Sequence, residues 1–184
     1  GWTNRSCYKF HNFINKNNIP VATSFRRQDL FDHKNENFAG SFGTSVSPKL
    51  IDSTKKSDLI IVLGARLGEM TTQGYSIISP QDISKNIMHI HVDPNELNKV
   101  FNANVCINVG VNECCDKLEE LTLDNSDRWK EWRNELSKNY LEDSKPKNNR
   151  NINNLSKIFE IVEKKFPTNS IITLDAGNNA AWPQ

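Results

Sequence analysis

The stretch Leu59-Ile60-Ile61-Val62-Leu63-Gly64-Ala65-Arg66 places five apolar residues in unbroken succession, three of them β-branched, ahead of a glycine and then an arginine. A run of this kind predicts a strand buried on both faces of a parallel sheet, because only a strand covered on both sides can dispense with outward-facing polar residues. Parallel neighbours are joined by crossovers that pack on the sheet, so helices are expected above and below it. The glycine closes the strand and leaves Arg66 at its carboxyl end, the edge at which open parallel sheets bind ligands.

Outward from this run, residues 19–23, 87–92 and 105–109 have the length and composition of further strands. Helical spacing appears between them at 6–16, where Tyr8, Phe10, Phe13 and Ile14 can share a face, and again at 48–55 and 112–121. Ser47 followed by Pro48 reads as an N-cap and first helical residue, and Asn112 reads as a cap in the same way. Strand and helix alternate, which predicts an α/β fold with a Rossmann-like, doubly wound parallel sheet. Residues 126–141 repeat Trp129, Trp132, Arg133, Leu136 and Tyr140 at three- and four-residue intervals, an amphipathic helix trailing the sheet. The polar, Asn-rich stretch around Pro146 is a linker over 144–154. Beyond it, Leu155, Ile158, Phe159, Val162 and Phe166 open another helix ended by Pro167, and 170–174 reads as a strand. A second α/β unit begins there and is unfinished at residue 184.

Composition narrows the partners. With 23 basic and 22 acidic side chains the net charge is +1, so no global field draws the chain to nucleic acid or to an anionic membrane. No run approaches the roughly 20 apolar residues of a membrane span, and Gly1-Trp2 does not open a signal sequence; a cytoplasmic location is expected. Cys7, Cys106, Cys114 and Cys115 lack the paired spacing of a tetrahedral zinc site and read as reduced thiols, a redox role for the adjacent pair being the minor alternative.

Four turns are candidates for chemistry. Ala39-Gly40-Ser41-Phe42-Gly43-Thr44 leads to the helix at Pro48; its glycines permit close backbone approach to an anion, or simply a tight loop. In Gly64-Ala65-Arg66, the guanidinium can clamp a diphosphate or pair with a carboxylate. In His89-Ile90-His91-Val92-Asp93-Pro94, Asp93 stands where an acid meets a ribose hydroxyl, although the G-x-G-x-x-G fingerprint is absent; His89 and His91 share a sheet face and read as structural rather than metal-binding. The small-residue turn Asp175-Ala176-Gly177-Asn178-Asn179 enters a helix and is an anion site by geometry. No P-loop, Ser-His-Asp order or paired carboxylates appear, so no catalytic residue is assigned.

Taken in order, Ile19-Pro20-Val21-Ala22-Thr23, the 39–44 turn, 58–66, His89 to Val100 with Pro94, Glu96 and Leu97, and Asp175-Ala176-Gly177-Asn178 before Trp182 resemble the middle of thiamine diphosphate enzymes of the acetolactate synthase type. The resemblance runs from Gly1 to the end. It implies a central Rossmann-like domain over 1–143 that lacks its first strand, which should lie just before Gly1, then the linker, then the start of the thiamine diphosphate-binding domain over 155–184. A fragment truncated at both ends follows, with the pyrimidine-binding and diphosphate-binding domains of the same chain as its missing partners.

The whole enzyme implied is a homodimer or homotetramer that uses thiamine diphosphate and Mg2+, bound mainly outside this region, to attack a 2-oxo acid, release carbon dioxide and transfer the remaining unit. The fragment alone is expected to be inactive. In acetolactate synthases the central domain also holds FAD as a non-redox passenger, at turns matching Thr23, Gly40 to Thr44, Gly64 to Arg66 and His91 to Asp93; other relatives hold ADP or nothing. This sequence has Met70 where FAD-binding members carry a second arginine, and Val109-Gly110 where they carry Gly-Asp. The resemblance thus implies cofactor contacts at Gly40, Gly43, Thr44, Gly64, Ala65, Arg66 and Asp93, and at Gly177, Asn178 and Asn179 in the second unit. The alternative is a stand-alone dinucleotide-binding or scaffolding module of the same fold.

Overall fold

A computed structural model describes residues 1–81, 86–145, 155–167, 169–173 and 177. Five strands occur among them: β1 (Val21–Thr23), β2 (Phe38–Ser41), β3 (Leu59–Leu63), β4 (Asn86–His91) and β5 (Val105–Asn108). The helices are α1 (Asn4–Asn17), α2 (Pro48–Lys56), the single turn α3 (Glu69–Thr72), α4 (Val111–Leu118), α5 (Lys130–Asp143) and α6 (Leu155–Lys165). All strand pairs are parallel, in a two-stranded sheet β1-β2 and a three-stranded sheet β3-β4-β5. This is the α/β architecture expected from the alternation of apolar runs. The chain divides into two compact units, Gly1–Leu141 and Glu142–Gln184.

Several expectations are corrected. The segment 39–44 is not wholly a turn, because Phe38 to Ser41 form β2 against Val21 to Thr23. Phe38 is fully buried there, beside Phe13, Ile14 and Phe31. β3, expected to be covered on both faces, has Leu59 and Ile61 at 45% and 48% exposure. Among the described residues its ladder pairs only with β4, and the register sets Ile61 beside Met88 and Val105, and Leu63 beside Ile90 and Ile107. Those residues line one face, on which Ile90 is buried while Val105 and Ile107 are exposed. The opposite face is packed: Val62 and Ile87 lie under Ile77, Ile78 and Phe101.

Boundaries shift where local chemistry decides them. Gly110, not Asn112, precedes the first turn of α4. Asn112 instead accepts the Thr3 hydroxyl at 3.1 Å and donates to the Gly1 carbonyl at 3.0 Å. Thr3 and Ser6 close a capping box at the start of α1, each side chain accepting the other's backbone N–H, which satisfies two donors that the first turn leaves free. The trailing helix begins as a 3-10 turn at Ser126–Trp129 before α5. In the second unit α6 ends before Pro167, and residues 170–173 form no strand; Ile171 is 92% exposed, and no neighbouring strand among the described residues offers it a ladder.

Buried polar groups fix α5 to α1. Asn17 is fully buried, donates to the Phe13 carbonyl at 2.8 Å and accepts Leu123 N–H at 2.7 Å, while its own carbonyl accepts Trp129 Nε1–H at 2.8 Å. Arg133, 2% exposed, donates to Asn18 at 3.3 Å and lies 2.8 Å from Glu36. Polar atoms left without partners in such a place would cost on the order of 1–3 kcal/mol each, so these contacts specify where the helix sits.

Helices α1 and α4 are joined by Lys9, whose ammonium lies 2.9 Å from Asp116 and 3.1 Å from Glu119; Asn12 adds a bond to Glu119 at 3.2 Å. Asp116 is held below the usual carboxylate range first by Lys9, and Glu119 first by Asn12 and then by Lys9. A carboxylate whose folded pKa is depressed stabilises above the ordinary carboxylate range and loses that contribution as pH falls through the folded value. Lys9→Met is therefore expected to flatten the loss of stability on acidification below about pH 5. Urea unfolding at a series of pH values measures this, and an unchanged acid slope would show that the pairs are screened by solvent.

Candidate functional site

Parallel strands with crossovers present their carboxyl ends to one side, and there β3 passes into Gly64-Ala65-Arg66. Gly64 N–H donates to the Ile90 carbonyl at 2.8 Å, extending the ladder by one bond before the chain turns at a left-handed φ of 66°. A Cβ at Gly64 would stand 2.4 Å from Val111 Cγ1 and 3.7 Å from Trp2 Nε1. Both the backbone angle and the close approach of α4 therefore require glycine. The turn releases Arg66 outward, with its side chain 70% exposed.

Arg66 and Gly68 are shared by two adjoining cavities. The larger, about 400 Å³, is bounded by Gly64, Ala65 and Glu69 on one side and by Ser24, Phe25 and Arg27 from the end of β1 on the other. The smaller, about 200 Å³, is walled by Tyr75, His89, Phe101, Glu96 and Lys99. Its aromatic rings, Tyr75 and Phe101, lie 6.1 Å apart between centroids and 45° out of plane. Arg27, Arg66 and Lys99 contribute cations, and Glu69 and Glu96 contribute carboxylates. The combination of guanidinium groups, a glycine turn and an aromatic wall suits a nucleotide-sized ligand with an anionic middle.

Glu96 is fixed on the protein side of the smaller cavity. Its side chain is 12% exposed, Lys99 Nζ donates to Oε1 at 2.9 Å, and Arg66 Nε lies 3.7 Å from the same oxygen. Lys99 first, and Arg66 after it, hold the Glu96 carboxyl below its ordinary range against burial, which raises it. Asp93 is directed elsewhere. It caps the 3-10 turn Pro94–Glu96, accepting the backbone and side-chain N–H groups of Asn95 at 3.0 Å each, and the backbone bond is the main reason its pKa is lowered.

Of the residues singled out in the sequence, Gly64, Ala65 and Arg66 come together here. Gly43 is one contact removed: a Cβ on it would meet Phe25 at 3.0 Å, and its carbonyl accepts the Gln73 side-chain amide. Thr44 is exposed in the following loop. Gly40 lies inside β2 at φ 125°, where a Cβ would approach Leu50 of α2 at 3.2 Å and Tyr140 of α5 at 3.7 Å. Asp93 lines neither cavity. His89 contacts the Ala65 carbonyl at 3.0 Å, and His91 Nδ1 accepts Asp93 N–H at 3.1 Å. Gly177 belongs to the second unit, and Asn178 and Asn179 lie outside the described residues. Arg27 and Lys99 join the site from outside the sequence motifs; a cation shortly past a strand end is a signal for Arg27, whereas Lys99 gains its place only through Glu96.

Residues 2–118 match the family described as thiamine pyrophosphate enzyme, central domain, and the chain belongs to that family. The chain is also similar to the acetolactate synthase large subunit of Corynebacterium glutamicum, 26% identical over 110 residues that make up 60% of this chain and 17% of that relative. The chain thus spans less than a fifth of that relative's length. No described helix is long and apolar enough to cross a membrane.

Gly64→Ala tests the turn. A left-handed alanine costs on the order of 1–2 kcal/mol and overpacking against Val111 on the order of 1–3, so a loss of about 2–5 kcal/mol of unfolding free energy is expected. Denaturant unfolding would overturn the reading if the variant matched the parent.

Proposed function

We propose that this chain is the central domain, with the beginning of the cofactor domain, of a thiamine diphosphate-dependent enzyme that acts on a 2-oxo acid in the manner of an acetolactate synthase. The observation that carries this is the central-domain match over residues 2–118 together with similarity to a stretch of a much longer acetolactate synthase subunit. When bound, thiamine diphosphate supplies the electron sink for decarboxylation. The two cavities of this domain offer guanidinium, ammonium and aromatic groups suited to a passenger nucleotide; the reacting 2-oxo acid and Mg2+ belong to the flanking domains of the same polypeptide.

The same reading places a further parallel strand, from polypeptide ahead of Gly1, beside β3. Support comes from the edge of β3 away from β4, which has no partner among the described residues. An open, apolar strand edge is a surface that folded proteins normally cover. The reading also gives the linker at 144–154 its place between the central domain and the cofactor domain that begins at 155.

Turnover decides between an enzyme and a stand-alone module. The complete polypeptide with thiamine diphosphate and Mg2+ is expected to release carbon dioxide from pyruvate or another 2-oxo acid, and the 184-residue chain alone is expected to release none. Activity in the short chain, or inactivity of the complete one towards a panel of 2-oxo acids, would sink the proposal.

The nucleotide is expected to be FAD or ADP, bound weakly with Arg66 as its principal charged contact. A charge-assisted hydrogen bond contributes about 1.5–3 kcal/mol, whereas nanomolar affinity requires about 12. Calorimetric titration of the complete enzyme is expected to give dissociation constants above about 1 μM, a level that corresponds to roughly 8 kcal/mol, and further weakening in Arg66→Ala. Submicromolar FAD binding that survives Arg66→Ala would overturn the assignment.

A further inference from the structure

We propose that Glu96 is a specificity-determining residue that competes with an anionic ligand for Arg66 and so discounts the site's affinity for phosphate charge. The proposal rests on the nucleotide reading of the paired cavities and concerns which ligands they favour. Arg66 forms part of the wall of both cavities, so any diphosphate spanning them must draw on its charge. That charge already faces a carboxylate 3.7 Å away, and the same oxygen holds Lys99 at 2.9 Å. Asp93 stands close enough for its charge to act on both Arg66 and Glu96, so two cations face two anions and the group is near neutral; without the Glu96 charge it would be net positive.

The geometry decides between two roles for Glu96. A carboxylate can preorganise an arginine by hydrogen bonding, in which case its removal would weaken ligand binding, or it can neutralise the arginine without orienting it, in which case its removal would strengthen binding. The Nε to Oε1 separation exceeds hydrogen-bond reach, and the guanidinium side chain is 70% exposed. The firm bond of Glu96 goes to Lys99 instead, and its carboxylate is nearly buried while Arg66 stands in solvent. Neutralisation is the effect this arrangement supports. A ligand phosphate must displace or share that contact, and the discount grows with ligand charge: adenosine escapes it, AMP meets part of it, and ADP or pyrophosphate meets it in full.

The test is calorimetric titration of the complete enzyme with inorganic pyrophosphate, adenosine and ADP. A unit charge about 4 Å away in water changes an equilibrium by roughly fivefold, so E96Q is expected to bind pyrophosphate and ADP at least about fivefold more tightly. Adenosine affinity should be unchanged. E96A, which removes the same charge with a different shape, should gain as well, and adding R66M should cancel the gain. If pyrophosphate and ADP bind the parent enzyme but bind E96Q and E96A equally or more weakly, Glu96 is not a competitor and the nucleotide reading stands without it. If neither anion binds the parent or the variants, the nucleotide reading fails and this inference with it.

Discussion

At Gly64 three demands meet in a residue with no side chain. The amide continues the ladder to Ile90, the left-handed backbone swings the chain off the sheet, and the space a Cβ would fill belongs to Val111 of α4. Position of the sheet, approach of the helix and direction of Arg66 are therefore coupled through one turn. Were α4 to recede to accommodate a side chain, it would pull on α1, to which it is joined by Lys9, Asp116 and Glu119. The site at the strand ends depends on this packing even though none of those three residues lines it.

The polar groups divide by what surrounds them. Asn17 is buried with its side chain bonded to Phe13 and Leu123, and Arg133 is buried beside Asn18 and Glu36 although its Nε has no partner among the described residues; removing these contacts would cost more than a typical surface pair could return. Around the cavities the arrangement is mixed: Arg66 is exposed and Arg27 comes from the end of a different sheet, while His89 is held at the Ala65 carbonyl and Glu96 is tied to Lys99. Rigid polar contacts thus hold the scaffold, while the cations at its edge keep the freedom to meet a ligand.

Much of the alternation was legible because it depends on local pattern. β3, β4 and β5 fall where apolar runs predict them, and Gly64 with Arg66 could be read as the end of a strand in a parallel sheet. β2 was not legible as a strand, since Gly40 sits in its middle at a backbone angle typical of turns and the pairing with β1 is a long-range property. Thr44 and Asp93 take their local surroundings from the fold rather than from pattern: Thr44 stands exposed in the loop after β2, and Asp93 caps the turn at Pro94 through Asn95. Lys99 escaped notice because its charge acquires meaning only beside Glu96 and Arg66, one of which is 33 positions away in the chain.

The exposed face of the three-stranded sheet is where pattern and fold disagree most informatively. An unbroken apolar strand records selection for cover on both sides, yet Leu59, Ile61, Val105 and Ile107 remain open while Ile90, in register with Ile107, is buried. α4 has only eight residues, about 12 Å of helix at 1.5 Å per residue, and one of its ends is committed to the Gly64 turn. Its Cys114 and Cys115 are buried, and Leu118 packs with the Phe13, Ile14, Phe31 and Phe38 cluster beside β2. A helix so short cannot serve that cluster and also roof the amino-terminal half of β3 to β5.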